Sequence, residues 1–504
     1  MSSLAPSPQL SPEHCYPALL ARDARFDGLW FVGVSSTGIY CRPVCRVKTP
    51  RRENCHFFAN AAQAEAAGYR PCLRCRPETA PAQDLRWSVT DASRTLARQA
   101  AQLIEADPRQ NVSALAERLG ISSRHLQRIF EAEHGVSPLA FLHTRRLLLA
   151  KQLLMDSPLA MAEVAEAAGF GSLRRFNALF LQHYRLQPGS LRKAGEPPPS
   201  VTACGEPGLR LAYRPPLAVD ALLAFLEARA VPGVEQVDRR QLLLSRSLRM
   251  QHQGHWAVGR LVVRFQPERS TVLLSPCSTL WGAAGSLIPL VRRLLDLDAA
   301  PEAIHQQLTG LPALEPGLRL PGCLDRFELA VRAVLGQQVT VAAARTLASR
   351  FVERFGELLP EGHRTPEVQR LFPRPEAIAE LPVEAIAELG IIRTRAQALI
   401  TLARQWPTLA YASQQGTQEQ ALAELQALPG IGPWTAQYML MRGWSAPDLF
   451  PPGDVVLKQQ LTEPGQPAPT PKALAQRAQA FSPYRSYAVL QLWHHAARST
   501  RSKT

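Results

Sequence analysis

Leu428-Pro-Gly-Ile-Gly-Pro-Trp434 is the stretch on which the reading turns. It lies between two helical patterns and reads as a helix-hairpin-helix. Glycines such as Gly430 and Gly432 let the backbone turn tightly, and the amides at the start of the next helix can receive a phosphate. Alone, the hairpin is shared by many DNA binders that catalyse nothing. Twenty-two residues beyond Gly432 stands Asp454, after Pro451-Pro-Gly453 and before Val455-Val-Leu-Lys458. That position suits a helix N-cap, and it suits a working carboxylate, because a helix N-terminus favours the charged form.

Around this stretch, the pattern from residue 325 onward is helical almost throughout, punctuated by Pro and Gly. Residues 209–298 differ: segments 209–213, 241–250, 256–265 and 271–275 are rich in Val, Leu and Arg and predict strands. Segments 217–230 and 280–297 predict helices against that sheet. Upstream lies an internal repeat. Leu115-Ala-Glu-Arg-Leu-Gly-Ile-Ser122 with His125-Leu-Gln-Arg-Ile-Phe130 is echoed by Val164-Ala-Glu-Ala-Ala-Gly-Phe-Gly-Ser172 with Arg175-Phe-Asn-Ala-Leu-Phe180. Each copy predicts a short helix, a turn at Gly120 or Gly169, and a second helix. Leu115, Leu119, Leu126 and Phe130 would pack inward, leaving Arg124, His125, Arg128, Arg174 and Arg175 outward to meet major-groove DNA. An ordinary bundle with exposed arginines is the plainer alternative. Breaks are expected at Glu78 to Asp84 and at Gly195 to Gly208, where Pro, Glu and Gly gather.

The 504 residues exceed one hydrophobic core and predict several domains. A basic excess of 57 Lys+Arg over 42 Asp+Glu, shared by both halves, points to a polyanionic partner. The polar, Pro-rich start shows no signal peptide, and no apolar run reaches the ~20 residues that span a bilayer. A cytoplasmic, nucleoid-associated protein with reduced thiols is expected, with no membrane partner. Six of nine cysteines nevertheless lie before residue 76. Cys41-x3-Cys45 and Cys72-x2-Cys75 have the spacing of a four-thiolate zinc site. Such sites are most often structural.

Two resemblances extend these readings. Thr37-Gly-Ile-Tyr-Cys-Arg-Pro-Val-Cys-Arg46, Arg52-Glu-Asn54 and Gly68-Tyr-Arg-Pro-Cys-Leu-Arg-Cys75 resemble the N-terminal domain of the Ada family of adaptive-response regulators over most of residues 12–80. The helix-turn-helix pair resembles the AraC-type domain that follows it in that family. By resemblance, Cys41 accepts a methyl group irreversibly from a methylphosphotriester, Cys45, Cys72 and Cys75 hold one zinc with it, and Thr37 and Arg46 face DNA. Methylating one sulfur takes a zinc tetrathiolate from −2 to −1. At ~8 Å from a phosphate and an effective dielectric of ~20, that is worth on the order of 2 kcal/mol, or roughly thirtyfold in DNA affinity. The family's second transferase needs Pro-Cys-His-Arg. Here Pro276-Cys277 is followed by Ser278, so that activity is not expected.

A hairpin with a downstream Asp is the signature of a DNA glycosylase superfamily. Leu318-Arg-Leu-Pro-Gly-Cys-Leu-Asp-Arg-Phe327, Ala333-Val-Leu-Gly-Gln-Gln338, Gly432-Pro-Trp-Thr-Ala436, Met441-Arg-Gly-Trp444 and Tyr484-Arg-Ser-Tyr-Ala488 resemble the 3-methyladenine DNA glycosylase II family over residues 208–497. The resemblance makes Asp454 the catalytic carboxylate. It puts Trp434 where strand-cleaving relatives have Lys, and lines the base cleft with Phe225, Tyr438 and Trp493. Gln338 stands where the family has a Leu wedge, and His494 where it has Tyr.

The expected architecture is multidomain and mainly α with α+β parts. It comprises a zinc domain (1–84), a double helix-turn-helix domain (85–197), an α/β TBP-like domain (207–300) and an all-α helix-hairpin-helix glycosylase domain (301–504). The expected function is excision of alkylated bases joined to methyl-triggered transcriptional activation by a monomer that engages damaged and promoter DNA and RNA polymerase. The alternatives are a regulator whose glycosylase half only binds DNA, and an enzyme whose zinc is structural.

Overall fold

The computed structural model describes residues 10–82, 92–192, 208–252, 254–311, 313–415, 418–463 and 465–501. The expected break at 195–208 lies outside them except for Gly208. Two compact units are present. One comprises residues 1–215 with 268–275 and 281–289, and the other residues 216–267, 276–280 and 290–504.

The first unit begins with a helix, Pro12–Ala21, capped by Ser11. A four-stranded sheet follows in the order Cys55–Phe58, Phe31–Val34, Ile39–Cys41, Arg70–Pro71, the last two parallel. Trp30, Val32 and Tyr40 are buried in it. The two repeats form as expected. Helices Val112–Arg118 and Ser123–His134 flank Gly120, and Met161–Ala167 and Leu173–Tyr184 flank Gly169. Both glycines have positive φ, 67° and 87°. Ser122 and Ser172 cap the second helix of each pair. Leu115, Leu126 and Phe130 share one buried cluster, with Leu119 against it. The helix Pro138–Asp156 joins the two pairs.

The break expected over residues 78–84 does not include Glu78, and residues 83 and 84 lie outside those described. Pro77–Thr79 is a single 3-10 turn, and Glu78 is buried, bonded to Lys151 Nζ at 2.6 Å and to Arg76 Nε at 3.0 Å. Arg76 also clasps Asp156 through two bonds of 2.7 and 2.6 Å, and Lys151 reaches the Cys72 carbonyl at 3.3 Å. None of the four side chains is more than 7% exposed. Composition marked a linker because Lys151 lies 73 residues away. Two cations and two anions balance here. Losing one partner therefore strands an opposite charge away from water.

In the second unit the strands Glu235–Asp238, Leu243–His252 and His255–Gln266 run antiparallel. The first was not expected: four residues with three polar side chains carry no alternating signal. Its register sets Glu235 opposite Arg246. Arg246 and Arg332 each bond both Glu235 and Glu328 in the interior. The helix expected over 217–230 is Val219–Glu227. From Arg326 onward helices dominate, around a core that includes Phe327, Phe351, Leu399 and Leu440. The overall class is as expected: multidomain and mainly helical with small sheets. Among the described residues no helix is long and apolar enough to cross a membrane.

Lys151→Met should destabilise the first unit by about 3–5 kcal/mol, read from its urea midpoint, because Glu78 loses its closest cation. Adding Glu78→Gln should recover much of that loss. An unchanged midpoint in the single variant would show that solvent, not Lys151, neutralises Glu78.

Candidate functional site

The cysteine cluster is assembled by the sheet. Strand Ile39–Cys41 ends in one thiol, and its parallel neighbour Arg70–Pro71 runs directly into another. The Cys72 amide donates to the Tyr40 carbonyl at 3.0 Å, setting Cys72 alongside Cys41. The four Sγ atoms of Cys41, Cys45, Cys72 and Cys75 all lie within 4.8 Å of one another. Tetrahedral zinc with bonds of about 2.3 Å suits a cluster of this size and an all-thiolate donor set. Cys41, Cys45 and Cys72 are buried alike and Cys75 is somewhat more open, so exposure does not single out Cys41. Cys15 and Cys55 fall outside the cluster.

Arg42 was missed in the sequence and binds the two cysteine loops together. Its Nε donates to Asp27 Oδ1 at 2.8 Å, and its Nη1 to the Cys75 carbonyl at 3.0 Å and to Thr79 Oγ1 at 2.7 Å. Its own amide points at Cys75 Sγ, 3.3 Å away. No local pattern could reveal this, because the partners are 15 to 37 residues distant. Thr37, in the turn after Val34, and Arg46, just past Cys45, are both exposed. Arg124, Arg128, Arg174 and Arg175 are exposed on the second helix of each pair. His125 is half-buried, its Nδ1 3.1 Å from Arg128 Nη2.

In the second unit Asp454 caps the helix Val455–Gln460, its Oδ1 accepting from the Leu457 amide at 3.0 Å. Two indoles complete its shell. Trp434 Nε1 donates to Oδ2 at 2.8 Å, and Trp493 Nε1 to Oδ1 at 3.3 Å. The carboxylate is thereby 7% exposed yet satisfied on both oxygens. Tyr438, one helical turn from Trp434, stacks on it with centroids 5.3 Å apart and planes at 9°. Tyr438 also lies 6.1 Å from the Trp493 ring. Phe225 and Trp493 flank one small cluster with Leu318 and Leu490. Asp454, Trp434, Tyr438, Trp493 and Phe225 therefore meet in one place. His494 turns toward Glu315, 3.7 Å away, and its burial holds its pKa below the ordinary value.

The hairpin corrects one detail. Gly430 has φ 84°, and a Cβ there would lie 2.7 Å from Ala398 Cβ. Gly432 has an ordinary φ of −79° as N-cap of Pro433–Gly443, with nothing within 4 Å of a Cβ. Only the first glycine is required by the turn. The second leaves open space at a helix N-terminus, the kind of position that can receive an anion. Gln338, at φ 54°, is exposed in the loop after helix Arg326–Leu335. Its neighbour Gln337, missed in the sequence, donates through Nε2 to the Gly430 carbonyl at 2.8 Å and to Thr435 Oγ1 at 3.0 Å. That pair of bonds ties the Gln338 loop to the hairpin.

Hairpin, buried carboxylate and aromatic cluster mark a base-excision DNA repair protein that also carries a metal-binding and a helix-turn-helix domain. Residues 14–78 match the metal binding domain of Ada, and residues 115–194 a helix-turn-helix domain. Residues 208–325 match the AlkA N-terminal domain, and residues 331–483 the HhH-GPD superfamily of base excision DNA repair proteins. The chain belongs to the family of the bifunctional transcriptional activator/DNA repair enzymes of the AlkA type. It is 37% identical over 495 residues to the probable bifunctional transcriptional activator/DNA repair enzyme AlkA of Mycobacterium tuberculosis, covering 95% of this chain and 96% of that protein. It is 38% identical to DNA-3-methyladenine glycosylase 2 of Escherichia coli, over 56% of this chain and 96% of that one. The bifunctional transcriptional activator/DNA repair enzyme Ada of Escherichia coli is 41% identical over 26% of this chain and 35% of its own length.

Purified protein should carry one zinc per chain, and Cys72→Ser or Cys75→Ser should lose it, as read by metal analysis. Wild-type protein free of zinc would overturn the site.

Proposed function

We propose that the second unit is a monofunctional DNA glycosylase that hydrolyses the N-glycosidic bond of alkylated purines, with Asp454 as its catalytic carboxylate. The observation that carries this reading is the Asp454 carboxylate, held by two indole N–H groups beside stacked aromatic rings. A methylated purine such as 3-methyladenine or 7-methylguanine in DNA is already cationic and leaves with little need for acid assistance. The chain must flip it out of the duplex, stack it, and stabilise the positive sugar left behind. Phe225, Tyr438 and Trp493 supply ring faces for the base, and Asp454 supplies negative charge for the sugar. Gln338 fills the gap in the duplex, and amides after Gly430 and Gly432 hold a phosphate. Trp434 offers no amine, so no Schiff base forms and the strand is left intact.

In the first unit the thiolate of Cys41 takes the methyl group of a methylphosphotriester. A sulfur–carbon bond forms, the carbon–oxygen bond breaks, and its electron pair stays on the phosphate as a diester. Zinc held by Cys41, Cys45, Cys72 and Cys75 keeps the thiols deprotonated when bound. Thr37 and Arg46 border the DNA side, and Arg124, His125, Arg128, Arg174 and Arg175 read the promoter. The methylated protein then recruits RNA polymerase, working as a monomer in the cytoplasm on the nucleoid. Domain limits near 84, 197 and 300 separate these tasks.

Asp454→Asn keeps the cap but turns an N–H toward Trp434 Nε1 and deletes the charge. Release of 3-methyladenine should fall at least ~10²-fold while duplex binding survives. No adduct should be trapped by borohydride. Wild-type turnover would remove Asp454 from the mechanism, and a trapped adduct would show a lyase. Separately, methylphosphotriester DNA should add one methyl to Cys41 in peptide mapping and tighten promoter binding ~10–100-fold. A methyl mapped to another residue, or unchanged binding, contradicts the sensor.

A further inference from the structure

The Phe225 and Tyr438 rings carry beside them a concentration of positive charge that base excision by aromatic stacking does not call for. Arg229 lies over the Phe225 ring, its guanidinium carbon 3.7 Å from the centroid. Arg442 approaches the same ring at 4.9 Å and the Tyr438 ring at 5.7 Å. Arg442 is fixed by the Pro321 and Gly322 carbonyls at 2.8 and 3.1 Å, and its Nη1 donates to the Tyr438 hydroxyl at 2.9 Å. Among the described residues, the carboxylates nearby are engaged elsewhere: Glu235 and Glu328 pair with Arg246 and Arg332. Asp454 is bonded to Trp434 and Trp493. Arg229 and Arg442 thus lack an acidic partner, and the ionisable oxygen placed against them is the Tyr438 phenol.

We propose that Arg229 and Arg442 make Tyr438 a charge-selecting residue of the cleft, which favours a cationic base once its phenolic proton has passed to solvent. The inference rests on the glycosylase reading and names a feature of its substrate choice. With Tyr438 neutral, two guanidinium groups face an incoming positive base. With Tyr438 ionised, one of those charges is offset beside the stacked rings. Burial alone would push the phenol up, but the Arg442 and Arg229 guanidinium groups, with Arg332 behind them, bring it down to about 8. Arg229 is itself lowered by burial to about 10, so it stays protonated through that range. Asp454 is reached through Trp434 and Trp493, His494 next to Trp493 faces Glu315, and Asp325, which shares the Cys323 loop, is raised by burial to about 6 and so changes charge below the range in question. Cys323 near Arg442 is pushed by burial to about 11 and does not change charge there.

The test is single-turnover release of 3-methyladenine, whose charge in DNA is fixed, from a methylated duplex between about pH 6.5 and 9.5. The full chain is compared with Tyr438→Phe, Arg442→Gln and Asp454→Asn. In wild type the second-order rate should rise on the order of tenfold through about pH 8, the effect expected of one charge at close range. Tyr438→Phe, whatever its rate at low pH, should lack the rise. Arg442→Gln should move the rise to higher pH, which lost packing alone would not do. An active wild type with a flat profile, or a rise that persists in Tyr438→Phe, overturns the proposal. Full activity in Asp454→Asn alongside a Tyr438-dependent rise would instead sink the carboxylate mechanism and leave this proposal standing.

Discussion

A carboxylate withdrawn from water must find donors for both oxygens, and the second unit supplies them to Asp454 from three directions. The amide of Leu457 comes from the helix that Asp454 begins, and the two indoles come from the helices Pro433–Gly443 and Arg485–Arg501. Each indole does a second job. While its N–H points at the carboxylate, its ring packs beside Tyr438, which lies flat against one of them and tilted to the other. A buried carboxylate and a set of neighbouring aromatic rings are thereby fixed in one geometry. The hairpin is part of the same construction, because Trp434 stands two residues past Gly432. Gln337 ties the neighbouring loop to the Gly430 carbonyl.

The first unit solves a related problem with different means. Four thiolates around one zinc form a dense negative charge, and the buried Arg42 lies against it, bonded to Asp27 and to the Cys75 carbonyl. The next residue after the last cysteine, Arg76, carries the chain into the charge network with Glu78, Lys151 and Asp156. Lys151 and Asp156 belong to the helix that joins the two helix-turn-helix pairs. Zinc loop and DNA-reading helices are thus held by buried charges rather than by a loose connection. Buried pairs contribute little net stability but are costly to break singly, which favours one arrangement over many.

What could be read in advance was what is encoded at short range. Each short cysteine pair, the Gly120 and Gly169 turns, the capping position of Asp454 and the helical period after residue 325 need fewer than about a dozen neighbouring residues, or a repeat, to be visible. Side chains whose meaning depends on distant partners were not legible. Arg42, Gln337, Arg442 and Lys151 look like ordinary polar residues until the fold brings up Asp27, Gly430, Pro321 and Glu78. Glu78 was misplaced in a linker for that reason. Gly432 was over-read, since its spacing from Gly430 suggests a shared role while its backbone is unremarkable. The strand Glu235–Asp238 was invisible because its identity comes from pairing with Leu243–His252, not from its own composition.

Asp454 depends most on the indole that orients it, and Trp434→Phe isolates that donor by keeping a ring for stacking while removing the N–H. Losing a hydrogen bond to a charged group is worth about 1.5–3 kcal/mol, roughly ten- to a hundredfold in rate if the bond acts in the transition state. Single-turnover release of 3-methyladenine by Trp434→Phe should fall by that factor with duplex affinity unchanged. A release rate equal to wild type would show that the carboxylate does not need this donor and that the arrangement described around Asp454 is not what drives base excision.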